Sequence, residues 1–147
     1  MAYSEDEMKA FGARLGALLL GGEVIELVGD VGAGKTTLTK GIATGLGVTD
    51  DVQSPSFTIS RVYDGRDNLI LSHYDFYRLV DAGIMAIELQ ETLRDPRTVT
   101  ILEWGGVAEG VLPTDRLTIK IESPTEDSRR LTVISDGSIS KKLKEQL

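Results

Sequence analysis

The stretch "EVIELVGDVGAGKTTLTKGIATGLG", Glu23 to Gly47, decides how the chain is read. Its opening, "EVIELVG", is too apolar for a strand with one wet face, so it predicts an interior strand of a sheet covered on both sides. Leu38, Ile42 and Leu46 then recur at helical spacing, and Gly47 stands in the C-cap position that a left-handed residue commonly fills. Between strand and helix lie Gly29, Gly32 and Gly34, three glycines in six positions, followed by Lys35, Thr36 and Thr37.

Gly29, Gly34, Lys35 and Thr36 satisfy G-x-x-x-x-G-K-[ST]. In such a loop the glycines let successive backbone N–H groups converge on phosphate oxygens with no Cβ in the way, and the following helix adds its positive end. Lys35 reaches between terminal phosphates, and the Thr36 hydroxyl is spaced to ligate Mg²⁺. The competing reading is a plain glycine turn, but the pattern falls between an interior strand and a capped amphipathic helix, the context that such a match requires.

The remainder of the chain supports an alternating α/β order. Ser4, with Glu7 three residues on, predicts a helix start, and Met8, Phe11, Leu15 and Leu18 fall on one face of it until Gly21 and Gly22. "FTISRVY" and "NLILSHY" flank the polar turn "DGRD", which predicts a hairpin over Phe57 to Tyr74. Ile84 to Leu93 reads as a short helix and "TVTILEW" as another buried strand. "LTIKIE" and "RLTVIS" alternate strictly and predict a second antiparallel pair around Ser123 to Ser128.

With 147 residues, 41% of them hydrophobic, the chain has the size of one compact domain, residues 1–147. Having no cysteine, it carries no disulfide framework and no thiolate metal site. Its longest apolar run, Ala17 to Leu20, is too short for a signal core or a membrane span, so a cytoplasmic location and no membrane partner are expected. The net charge of −7 argues against tight independent binding to a nucleic-acid backbone, since that affinity comes from Lys and Arg. The basic cluster Lys141, Lys142 and Lys144 reads as a solvated tail.

A phosphate cradle needs a carboxylate near the metal and an oriented water before it hydrolyses anything. Asp75 follows "LILSHY" and Glu103 follows "TVTIL", so each ends an apolar strand at the carboxyl edge where ligands of open α/β sheets bind. Either one is as readily a surface carboxylate at a strand end. Thr58, in "SPSFT", is placed to sense a terminal phosphate, or else belongs to a strand entry fixed by Pro55. His73, the only histidine, reads as a structural residue that orients Asp75, and Trp104, the only tryptophan, reads first as packing and second as a nucleotide contact. No Asn/Thr-Lys-x-Asp element for guanine occurs, which favours ATP.

In order and spacing, "GDVGAGKTTLTKG", "SPSFTISRVY", "HYDFYRL" and "ILEW", followed by "LPTDRLTIKI", resemble the bacterial TsaE (YjeE) family over nearly the whole chain. The loop is common to a large superfamily, whereas "HYDFYRL" with "SPSFT" and "EW" is far more selective. The resemblance implies a P-loop NTPase-type three-layer α/β fold, with a mainly parallel central sheet and added antiparallel hairpins. It implies a Mg²⁺-dependent ATPase that serves TsaD and TsaB, which install threonylcarbamoyl on adenosine 37 of tRNAs reading ANN codons, tRNA being met only through those partners. By the same resemblance Gly29, Asp30, Val31, Gly32, Ala33, Gly34, Lys35, Thr36 and Thr37 bind the phosphates, and Thr36 and Glu103 hold Mg²⁺. Asp75 serves hydrolysis, Thr58 belongs to the sensing segment, and Trp104 and Arg129 lie beside the nucleotide.

Four positions depart from the family pattern. Ser56 replaces a usual threonine but keeps a hydroxyl; Met8 replaces a threonine of the first helix; Gly105 and Gly106 stand where proline and an acidic residue often follow the tryptophan. Glu103 is thereby the only acidic residue at that strand end. A small-molecule kinase, with Arg94 and Arg97 as lid arginines, and a regulatory module without turnover are the other function classes this loop admits.

Overall fold

The computed structural model describes residues 2–29, 34–49, 52, 60–76, 83–103, 112–113, 115–126 and 128–147. In chain order the elements are β1 (Ala2–Tyr3), α1 (Glu5–Leu18), β2 (Val24–Val28), α2 (Lys35–Gly45), β3 (Ser60–Asp64), β4 (Ile70–Asp75), α3 (Gly83–Arg94), β5 (Thr98–Glu103), β6 (Leu117–Thr125), β7 (Ser128–Ser135) and α4 (Ser138–Glu145). Among the described residues the strands form one seven-stranded sheet in the order β1-β7-β6-β2-β5-β4-β3. The four central strands, β6, β2, β5 and β4, are parallel, while β3 and the β7–β1 edge are antiparallel.

Strand alternation sorts the side chains into two layers. Ile25, Leu27, Leu71, Val99, Ile101 and Ile119 face α1 and α2 in the larger core, which Leu143 of α4 also joins. Val24, Tyr74 and Leu102 face the other way and pack with Phe76 and with Leu89 of α3. β2 is therefore covered on both sides, as its apolar sequence predicts. Its one charge, Glu26, is nearly buried on the α3 side, where Arg116 Nε donates to it at 3.1 Å and the Thr118 hydroxyl at 3.3 Å. The buried Tyr74 donates to or accepts from the Thr92 hydroxyl at 2.8 Å, and burial raises its phenol above the usual range.

α1 begins as expected with a reciprocal cap: the Glu7 amide donates to Ser4 Oγ at 3.2 Å and the Ser4 amide to Glu7 Oε1 at 3.1 Å. It then lies against α2 with almost no space between the backbones. A Cβ built on Gly12 would sit 2.8 Å from the Ile42 nitrogen and the Leu38 oxygen, and one on Gly45 would run into the Ala13 carbonyl. Gly16 and Gly41 close the same seam.

A second tie joins these helices at their C-terminal ends. In the turn between β3 and β4, the Arg66 guanidinium donates to four carbonyls: Gly45 at 2.8 Å, Leu19 at 2.7 Å, and Gly16 and Ala17 each at 3.1 Å. The Arg66 amide adds a bond to the Leu46 carbonyl at 2.9 Å. One cation thus answers the orphan carbonyls of two helix ends and meets the negative end of both dipoles.

The hairpin expected over Phe57 to Tyr74 is observed as β3 and β4, its residues 57–59 lying outside the described residues. The C-terminal lysines are exposed as expected, but they stand on a helix rather than a loose tail. Leu143 is buried, and Asp115 accepts from the Ser140 amide at 2.9 Å and the Ile139 amide at 3.1 Å, fastening the start of α4. Those amides, Ser140 first, hold the Asp115 carboxyl below the usual range.

Candidate phosphate-binding site

β2 delivers the chain to Gly29, and α2 begins at Lys35 after Gly34. Gly34 takes φ +103°, a left-handed conformation that glycine adopts without strain. A side chain there would also crowd Met8, whose methyl lies 3.0 Å from where the Cβ would stand, with Arg129 Nε 3.9 Å away. Met8 is thus a buried wedge behind the loop's last glycine, a role its helical spacing alone did not disclose. Gly34, the N-cap of α2, has no side chain to cap the first turn, whose amides belong to the loop side of the helix.

Lys35 is buried, and its Nζ donates to the Gly29 carbonyl at 2.6 Å, closing the loop end to end. One turn on, the Thr39 hydroxyl donates to the Lys35 carbonyl at 2.8 Å. Thr36 and Thr37 are half-buried in the same turn. Asp30, Val31, Gly32 and Ala33 lie outside the described residues, as do Thr58 and Trp104.

The carboxylates reach this edge through the parallel register. Glu103 pairs with Leu27 of β2 on one side and with Asp75 of β4 on the other, so Glu103 and Asp75 stand level on neighbouring strand tips, and Gly29 follows two residues beyond Leu27 at the end of the third. By alternation Glu103 and Asp75 lie on the face of β5 and β4 that α1 and α2 cover. Glu103 is buried at 3% exposure, whereas Asp75 is half-buried. Thr36 and Glu103 offer hard oxygen donors of the kind Mg²⁺ takes alongside phosphates.

His73 is fully buried and corrects one expectation. It was expected to orient Asp75, but its Nε2 donates to Glu103 Oε2 at 2.5 Å, a diagonal pairing across β4 and β5. The cause is geometric: His73 stands opposite Ile101, and Glu103 is the next residue of β5 on the same face. Arg129, on β7, lies beside Gly34 as noted, with its Nη1 donating to the carbonyls of Ser128 at 2.9 Å, Glu126 at 3.1 Å and Thr125 at 3.4 Å.

A glycine loop between a covered parallel strand and a helix, a lysine closing that loop, and acidic residues on adjacent strand tips define a P-loop nucleotide-binding protein. The family model for "Threonylcarbamoyl adenosine biosynthesis protein TsaE" matches residues 2–131, and the chain belongs to the TsaE family. It is 39% identical over 143 residues to the tRNA threonylcarbamoyladenosine biosynthesis protein TsaE of Bacillus subtilis, covering 97% of this chain and 88% of that one. It is 40% identical over 138 residues to the protein of the same name from Streptomyces coelicolor, covering 88% and 91%. Among solved structures, Bacillus subtilis YdiB superposes with a TM-score of 0.81 at 35% identity, covering 99% of this chain and 92% of that one. Among the described residues no helix is long and apolar enough to cross a membrane.

Proposed function

We propose that this chain is the Mg²⁺-dependent ATPase of the tRNA threonylcarbamoyladenosine system, working in the cytoplasm with TsaD and TsaB, which carry out the transfer to adenosine 37. The observation that carries the reading is the placement of Glu103 and Asp75 level on adjacent strand tips, next to the strand whose end, Gly29, holds the buried Lys35 ammonium. Residues 29–37 bind the triphosphate. Lys35 exchanges a neutral carbonyl for anionic phosphate oxygens, which a cation prefers. Mg²⁺, held by Thr36 and Glu103, supplies neutralisation of phosphate charge. Asp75 orients the attacking water, Thr58 follows the terminal phosphate, and Trp104 and Arg129 border the nucleotide.

The net charge of −7 fits a component that leaves RNA contact to its partners. Two measurements test the reading: ATP binding to the parent chain and to Lys35→Ala, and release of free phosphate with and without TsaD and TsaB. Loss of tight ATP binding in Lys35→Ala together with partner-stimulated phosphate release is the expected result. Unchanged affinity in Lys35→Ala would remove the loop from the site. A phosphorylated acceptor in place of free phosphate would make the chain a kinase, and binding with no turnover in any mixture would make it a regulatory module.

A further inference from the structure

We infer that His73 is a positioning residue for Glu103: it holds one carboxylate oxygen so that the other is presented to the metal. The inference rests on the reading of Glu103 as a Mg²⁺ ligand. Three observations lead to it. His73 is completely buried, Glu103 is 3% exposed, and their 2.5 Å contact is between side chains brought together from strands 30 residues apart in the chain. A carboxylate only accepts, so the proton of the contact sits on Nε2 and Oε2 is the oxygen it engages. Among the described residues Nδ1 has no hydrogen-bond partner at all.

That last point separates a positioning role from ordinary core packing. A buried ring nitrogen left without a partner is costly, and an apolar side chain of similar size would satisfy the same core without that cost. Within the described residues, the polar character of His73 is spent entirely on Glu103. The site has reason to keep it, because Glu103 is the last residue of β5 and has two torsions beyond Cβ to fix before one oxygen points steadily at the loop's edge. Oxygen ligands of metals are commonly held by such outer hydrogen bonds, and losing one typically costs about 10–100-fold in metal affinity.

The test is a Mg²⁺ titration of nucleotide binding, read by calorimetry rather than turnover, on the full chain. His73→Leu is expected to weaken the apparent Mg²⁺ affinity of the ATP complex about 10–100-fold while leaving Mg²⁺-free ATP binding within roughly twofold. His73→Gln places an amide nitrogen near the lost Nε2 and is expected to recover most of that loss. In a Glu103→Ala background, His73→Leu should add nothing, because the group it positions is gone. Far-UV circular dichroism identifies any variant that fails to fold, and the glutamine variant then decides. Parent-like Mg²⁺ affinity in folded His73→Leu overturns the inference and leaves the ATP site standing, as does an equal loss in the leucine and glutamine variants. Parent binding of ATP that is indifferent to Mg²⁺ overturns the metal reading of Glu103 instead, and the inference with it.

Discussion

Replacing Arg66 by methionine keeps the aliphatic stem and removes the guanidinium that ties α1 to α2. Four carbonyls lose the guanidinium; the Ala17 bond is exposed, so water replaces it, while those to Gly16, Gly45 and Leu19 are part-buried. The Gly16 carbonyl keeps the Leu19 amide at 3.3 Å, so two acceptors, Gly45 and Leu19, are left without a partner; at about 1 kcal/mol each they give about 2 kcal/mol. Freeing the ordered side chain returns about 1 kcal/mol of entropy, leaving a net loss of about 1 kcal/mol. For a chain of this size that corresponds to a fall in Tm of roughly 2–4 °C. Urea unfolding followed by circular dichroism measures it, with an unchanged m-value expected because the folded state stays equally compact. Arg66→Lys is the informative control: an ammonium lacks the planar fork and cannot span both helix ends, so at least half of the loss should remain. A methionine variant within ~0.5 kcal/mol of the parent, or a lysine variant equal to it, would refute the reasoning, since surface substitutions commonly fall in that range.

Gly45→Ala should destabilise by about 1–3 kcal/mol despite alanine's higher helix propensity, because the added methyl meets the Ala13 backbone; urea midpoints would show it, and a neutral or stabilising result would mean the helices separate easily. The Asp115 carboxyl titrates below its unfolded value, so its stabilising effect is present above about pH 3.9 and is lost as pH falls through the lower folded value. Asp115→Asn should accordingly cost about 0.5–1 kcal/mol at neutral pH, and the gap between variant and parent should close in acid; a gap that widened there would contradict the assignment. Asp75→Ala should leave ATP affinity near the parent's and lower phosphate release at least tenfold, and normal turnover would move the hydrolytic role to Glu103.

Whatever depends on a few consecutive residues was readable from the chain. The interior strand, glycine loop and capped helix of residues 23–47 announce themselves by composition and period, as does the Ser4–Glu7 cap. Asp75 and Glu103 were readable as strand ends because each closes an apolar run. Which strands become neighbours is not written in any one of them, so His73 was matched with the carboxylate two residues away instead of the one on β5. Arg66 likewise sits in an ordinary polar turn, and its acceptors lie 21 to 50 residues distant in sequence. The last helix escaped notice because its one deeply buried apolar side chain, Leu143, stands among lysines and its cap comes from Asp115, 25 residues upstream.

The row of strand tips also makes registry and ligand affinity inseparable. If β5 slid by one residue against β2, the alternation of its side chains would turn Glu103 toward α3 and put Leu102 in its place. With Glu103 holding Mg²⁺ as proposed, misregistered chains would then be blind to the metal-bound nucleotide, and the ligand, by binding only correctly paired molecules, would draw the population toward them by mass action. Saturating nucleotide should therefore act as a proofreader of the central sheet, protecting its slowest-exchanging amides far from any atom it touches.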